Sequence, residues 1–316
     1  MKKTTVDDIR HYLARRNPLG LRGAAVAELS ASNHLIYRVA KDGRVFALRM
    51  VNPESYRRRE WIAIHEEFAI LRAIKGSGLG PQAHFLDEEH EPPLIIQEFV
   101  EAECFNVLKP LAREHLVGAA RAIAGLNGLV ITPAQLPFLS KYARRGYRGS
   151  FASWCFRLAD ALRRLPRRDV ARWTLRILPI AVRVGRMLSR EELRLPEDFS
   201  LHFDGAHTGN TYWRDGWVMF LDWQKVSWRN DPSFTLVRFM TSVGLAGDVS
   251  PAVWDTLIIA YCEVRYVPDF ADLARVRLLE RQTADLVWVL WDHARRRDPR
   301  PVEEWASAVE RYRRVL

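Results

Sequence analysis

The hydrophobic period of this chain changes near residue 107, and that change constrains the fold more than any other feature. Over the first hundred residues apolar positions mostly alternate, as in half-buried strands. "AAVAELSASNHLIYRVAKDGRVFALRMV" reads as three strands, with a turn at Ser30 to Asn33 and a hairpin at Lys41 to Gly43, where Asp42-Gly43 is a strong turn signal. "AHFLDEEHEPPLIIQEFV" adds two shorter strands. Between them "YRRREWIAIHEEFAILRAIKGSG" sets Trp61, Ile64, Phe68, Leu71 and Ile74 at helical spacing and stops at glycine. Beyond residue 107 the period is that of helices, broken by a lone hairpin: "NTYWR", a turn at Asp215-Gly216, then "WVMFLDW". The expectation is an α+β chain, with a strand-rich part over 1–100 and a mostly helical part over 101–316 that contains the hairpin.

Composition enters through charge and cysteine. No window reaches the roughly 18 apolar residues of a spanning helix, and the charged N-terminal stretch "MKKTTVDDIRHYLARRNP" has no apolar core of a secretory signal. Cys104, Cys155 and Cys262 are odd in number and far apart, which fits reduced thiols and a cytoplasmic location. The net charge of +10 is concentrated: residues 141–190 hold fourteen Lys and Arg against Asp160 and Asp169, a net +12, leaving −2 for the rest. Within this segment Arg172, Arg176, Arg183 and Arg186 punctuate an apolar stripe. That pattern suits either a solvated helix face or contact with an anionic partner or membrane surface. The aromatic residues are not interleaved as stacking platforms, which argues against nucleic acid. The aromatics of "WVMFLDWQKVSW" and Trp288, Trp291 and Trp305 read as core.

The lone hairpin carries the chemistry. In "LHFDGAHTGNTYWRDGWVMFLDWQ" a His, two Asp and an Asn flank two apolar runs, so polar groups sit at the ends of a stiff frame. Asn210 precedes one strand and Asp222 follows the other. The ends of a short hairpin lie side by side, so a carboxylate and an amide oxygen would converge there as hard ligands for Mg²⁺; capping of turns is the competing reading.

This stretch resembles the core of the aminoglycoside phosphotransferase and choline kinase group, small-molecule kinases with a protein-kinase-like two-lobe fold. His202, Asp204, His207, Gly209, Asn210 and Leu221-Asp222-Trp223 match the group's His-Gly-Asp-x-His-Pro-Gly-Asn and Ile/Leu-Asp-Trp/Phe, and "NDPSFTL" is similar to its Gly-Asp-Pro segment. The resemblance implies a small antiparallel-sheet lobe and a helical lobe. It also implies an ATP- and Mg²⁺-dependent kinase acting on a hydroxyl of a small molecule. Asp204 would orient the acceptor hydroxyl or accept its proton, and Asn210 and Asp222 would hold Mg²⁺. Arg49 in "FALRM" would take the nucleotide phosphates with Glu67 as its helix partner. Ser30 and Ser32 would cover the phosphates, and the backbone at Glu98 to Val100 would meet adenine. The basic segment would repel a polycation, so a neutral or anionic acceptor is expected.

The sequence departs from the group's pattern in four places. Asp204 and Asn210 are six positions apart where the group has five, so either Gly205 is an insertion or Gly205 stands where the Asp should be. The second case would be a catalytically silent kinase-like protein that binds nucleotide or an anionic partner. The nucleotide loop lacks glycine, Thr235 replaces the second Asp of Asp-Pro-x-x-Asp-Leu, and Asn127 stands near a usual His.

Overall fold

The computed structural model describes residues 4–31, 34–52, 58–132, 134–142, 147–164, 167–243, 249–296 and 302–315. In chain order the elements begin with helix α1 (Val6–Arg16), strands β1 (Ala25–Ala31), β2 (His34–Lys41) and β3 (Arg44–Val51), and helix α2 (Arg58–Ala73). Strands β4 (Ala83–Asp87), β5 (Leu94–Glu98) and β6 (Glu103–Cys104) come next, then helices α3 (Arg113–Asn127), α4 (Arg148–Arg164) and α5 (Arg167–Glu191). Strands β7 (Ser200–Phe203), β8 (Thr211–Arg214), β9 (Trp217–Phe220) and β10 (Val226–Arg229) precede helices α6 (Phe234–Val243), α7 (Pro251–Val264), α8 (Phe270–Arg296) and α9 (Val302–Val315). Among the described residues no helix is long and apolar enough to cross a membrane.

Packing divides the chain into two compact units, one of residues 1–107, 130–140 and 210–225, the other of 108–129, 141–209 and 226–316. The hairpin β8–β9 thus packs with the strand-rich unit, although it follows α5 along the chain.

The first unit is built on an antiparallel sheet of order β1-β2-β3-β5-β4. Its two faces follow from the alternation of side chains along a strand. Leu48 and Met50 of β3 join Leu35, Tyr37, Leu94 and Ile96 in a core closed by Ile9 and Leu13 of α1. The other parity turns Val51 toward Ile64 of α2 and Ile95, and Arg49 shares that parity. The Asp42-Gly43 turn takes left-handed backbone at both residues, φ 50° and 73°, as a two-residue hairpin loop requires. Asp215-Gly216 does the same between β8 and β9, φ 49° and 86°. That hairpin pairs with β6, and its Phe220 N–H donates to the Leu79 carbonyl at 2.8 Å.

In the second unit β7 and β10 form an antiparallel pair beside the helices. α5 buries Ile177, Ala181, Val184 and Leu188, one stripe at helical spacing, in a core shared with Trp154 and Leu158 of α4 and Leu279 and Leu286 of α8. Arg172, Arg176, Arg183 and Arg186 are exposed on its outer face, as are Leu175 and Leu178. Trp288 corrects the core expectation. It is 40% exposed, with the Arg157 guanidinium 4.9 Å from its ring centroid, so its face serves a cation instead of closing a core.

Candidate active site

In the first unit the β3 face that carries Val51 also carries Arg49, and α2 lies against that face. The Arg49 guanidinium donates to Glu67 Oε1 at 2.7 Å and, through its other terminal nitrogen, to Asp222 Oδ1 at 2.5 Å. Arg49 and Glu67 are almost fully buried. Glu67 Oε1 also accepts from the Trp223 backbone N–H at 3.2 Å. One cation therefore sits between two carboxylates. Burial works against the charge on Arg49, but Glu67 and Asp222 more than restore it and raise its pKa. For Glu67, burial and the charge of Asp222 outweigh the attraction of Arg49, and its carboxyl is pushed up to about 7. For Asp222, burial opposes ionisation, yet the charge and hydrogen bond of Arg49 hold its pKa below the ordinary value.

Asp222 reaches this position because the hairpin ladder ends there. Thr211 pairs with Phe220, and the Leu221 N–H donates to the Asn210 carbonyl at 3.0 Å, one residue before Asp222. The chain then turns through a left-handed conformation at Asp222, φ 65°, which Asp tolerates better than most residues. Trp223 is fully buried, its indole N–H donating to the Phe220 carbonyl at 2.8 Å. A methyl group on Gly80 would come within 2.7 Å of that indole nitrogen, so only glycine allows this approach. The hairpin end thus carries both expected metal ligands. Among the described residues no cluster of three or more His, Cys, Asp or Glu could hold a metal by itself. One carboxylate and one amide oxygen suit Mg²⁺ that arrives with phosphate oxygens and water. Arg49 Nε is buried without a hydrogen-bond partner.

His34, at the start of β2, is a site residue that sequence reasoning missed. Its Nδ1 faces the Arg49 guanidinium at 3.4 Å and its Nε2 faces the Gln224 side-chain amide at 2.7 Å. Burial and the neighbouring Arg49 charge lower its pKa to about 4, so the ring is neutral at physiological pH. Ser30 lies in β1 opposite Ile36, just past a bulge at Glu28; Ser32 lies outside the described residues. At the end of β5 the Glu98 N–H is used by the Gln82 carbonyl at 2.8 Å, and its carboxylate accepts from Arg214 at 2.9 Å. The Val100 N–H has no backbone partner among the described residues.

In the second unit Asp204 follows β7. The Ala206 N–H donates to the Phe203 carbonyl at 3.1 Å, so Asp204 and Gly205 form the centre of a tight turn. Gly205 does not take the left-handed backbone that would demand glycine. The Asp204 carboxylate accepts from the Ser227 hydroxyl at 2.6 Å and from Arg229 at 2.8 Å. Ser227 and Arg229 are two apart on β10, hence on one face, and pair in register with His202 and Ser200 of β7. Both partners were missed by sequence reasoning; the alternation of "SWR" before "NDP" was the available signal. Asp204 and Arg229 line a cavity of about 610 Å³ whose wall includes Trp154, Phe234 and Val237.

The loop is anchored by residues that depart from the group's pattern. Thr235 Oγ1 accepts from the Phe203 N–H at 3.2 Å and lies 2.9 Å from His202 Nδ1. Thr235 therefore reaches the backbone just before Asp204. Asn127, buried at the end of α3, contacts the His202 ring at 3.2 Å and donates to the Pro232 carbonyl at 3.3 Å. His202 is fully buried; burial and then the charges of Arg229, Arg265 and Arg277 hold it well below its ordinary pKa. His207 orders its own loop, its Nδ1 accepting from the Gly209 N–H at 3.1 Å. Asp231 is buried against Arg277 and accepts from Ser233, which is a structural role.

No curated protein sequence matches the chain. Among solved structures it is similar to a choline/ethanolamine kinase family protein from Mesorhizobium loti, at 15% identity and TM-score 0.59 over 98% of this chain and 94% of that one. It is also similar to the ethanolamine kinase of Plasmodium vivax, at 11% identity and TM-score 0.63 over 96% and 85%. A thermostable mutant of aminoglycoside phosphotransferase APH(4)-Ia, in ternary complex with AMP-PNP and hygromycin B, matches at 13% identity and TM-score 0.63 over 96% and 98%. At these identities the likeness speaks for the fold, that of the kinase-like small-molecule kinases. The sequence profile of the phosphotransferase enzyme family matches residues 24–279. The chain belongs to the phosphotransferase enzyme family.

Proposed function

We propose that this protein is an ATP- and Mg²⁺-dependent kinase that phosphorylates a hydroxyl of a small molecule, the acceptor being neutral or anionic. The observation that carries the reading is the Arg49 guanidinium held between Glu67 and Asp222 at 2.7 and 2.5 Å. Such a fork is positioned to exchange a carboxylate for nucleotide phosphate oxygens. In this reading Glu67 fixes Arg49, Ser30 and Ser32 lie over the phosphates, and the backbone from Glu98 to Val100 meets the base. Asn210 and Asp222 would hold Mg²⁺, which when bound neutralises phosphate charge. Asp204 orients the acceptor O–H; as the oxygen bonds to the γ-phosphorus and the bond to the ADP leaving oxygen breaks, the proton passes to the Asp204 carboxylate. The hydrogen bond from Ser227 keeps that carboxylate in one rotamer. Cys104, Cys155 and Cys262 form no disulfide among the described residues, which supports a cytoplasmic location. The outer face of α5 supports contact with an anionic partner or membrane surface.

The test is ADP release in the presence of Mg²⁺ across a panel of hydroxylated metabolites and antibiotics, with Asp222→Ala as the control. Turnover is expected from the wild type and not from the variant; turnover that survives the substitution would mean the metal assignment is wrong. The ion pair between Asp204 and Arg229 at 2.8 Å favours a second reading, a catalytically silent kinase-like protein, because it engages the proposed base. Under that reading AMP-PNP binds and no panel member is phosphorylated.

A further inference from the structure

We propose that the cavity of the second unit takes a hydroxylated acceptor that itself carries an anionic group, phosphate or carboxylate, held by Arg238 and Arg281. This deepens the kinase reading above and rests on it. The cavity, about 610 Å³, has the size of a small-metabolite site. Its lining includes five arginines, Arg157, Arg229, Arg238, Arg277 and Arg281, against Asp204 and Glu280, and with Asp231 and Asp285 paired behind Arg277 and Arg281 the balance stays positive. A field of that sign concentrates anions and repels polycations.

Most of these arginines are already committed. Arg229 pairs with Asp204, Arg277 with Asp231 and Glu280, and Arg157 lies over the rings of Trp288 and Trp291. Arg238 is different: half-buried on α6, its side chain makes no hydrogen bond or ion pair among the described residues. Burial, and then repulsion from Arg281, lower its pKa against the weaker attraction of Asp285 and Asp204. Arg281, on the same cavity wall, pairs with Asp285 at 2.6 Å through one of its two terminal nitrogens. Two neighbouring guanidinium groups thus keep donor capacity beside an open cavity, and the cost of crowding them is offset when an anion accepts from both. Asp204 stands on the same cavity wall and is the place for the reacting hydroxyl, while Trp154, Phe234 and Val237 suit the carbon skeleton between the two ends.

The test uses the full chain saturated with AMP-PNP and Mg²⁺, so that the phosphate-binding groups of the first unit are filled. Thermal shift and calorimetry are run with glycerol 3-phosphate, sugar monophosphates and hydroxy acids, beside their neutral parent polyols and an aminoglycoside. Anionic members are expected to bind, phosphates and carboxylates being read separately, and Arg238→Gln is expected to weaken them about 10- to 100-fold. Arg281→Gln should act in the same direction, which guards against one variant failing to fold. The proposal is overturned if no anionic member binds, if the neutral parents or the aminoglycoside bind in their place, or if both variants bind anions as the wild type does. The AMP-PNP shift on the same samples separates the two failures: its absence, with anion binding intact, overturns the kinase reading alone.

Discussion

Replacing Arg49 by Met removes the one cation between two carboxylates, and the consequence depends on pH in a way the geometry sets. In the wild type the Glu67 carboxyl has moved from 4.5 up to about 7. A raised folded pKa means that the folded chain keeps a proton the unfolded chain has released. Stability therefore falls as pH rises from 4.5 to about 7 and is level above that. Without the guanidinium, burial is opposed by less attraction, the folded pKa moves higher, and the fall continues past neutrality at up to ~1.4 kcal/mol per pH unit. The stability gap between Arg49→Met and the wild type should therefore widen from pH 7 to pH 9 by as much as about 3 kcal/mol, comparable with breaking a buried ion pair. Urea titrations at pH 6, 7, 8 and 9 measure it. Arg49→Met combined with Glu67→Gln should hold the gap constant across that range. A gap that does not widen for the single variant, or that widens equally in the double variant, would refute the assignment of Glu67 as the buried charge that Arg49 compensates.

Three other substitutions probe the supports. Gly80→Ala pushes on the Trp223 indole from 2.7 Å and should cost roughly 1–3 kcal/mol, read by urea denaturation, while loosening the adjacent Asp222 enough to raise the Mg²⁺ requirement for AMP-PNP binding. Thr235→Val leaves the buried Phe203 N–H without its acceptor and should cost about 1–3 kcal/mol; Thr235→Ser should restore most of it. His34→Asn removes a ring whose pKa is lowered to about 4. The wild type gains stability from that ring as pH rises from about 4 to 6.5, so relative to the wild type the variant should be more stable at pH 4 than at pH 7 in thermal melts.

What the sequence made legible was local in origin. Asp42-Gly43 and Asp215-Gly216 announce their hairpins because their turns need left-handed backbone, and α5 announces its buried stripe through spacing alone. The Asp222 and Asn210 pair was legible because both lie at the ends of one short hairpin. Arg49 and Glu67 followed from order along the chain. What was not legible is who meets whom across long separations: His34 faces Gln224 across 190 positions, and Asn127 and His202, each noticed singly, meet across 75. No period or turn signal encodes such meetings. Thr235 was legible as a departure but not in its role, since it replaces a carboxylate with a hydroxyl that still accepts the Phe203 N–H.

The first unit is discontinuous along the chain, and this bears on how it is made. Arg49 and Asp222 are 173 positions apart. At ~5–20 residues per second, a nascent chain waits roughly 9–35 s between them. Through that interval Arg49 and Glu67 have no Asp222, the Leu79 carbonyl has no Phe220 N–H, and the Gly80 surface has no Trp223 to cover it. The first unit is therefore finished only after about half of the helical unit has emerged, and a fragment ending near residue 107 would carry Arg49 and Glu67 without their third partner.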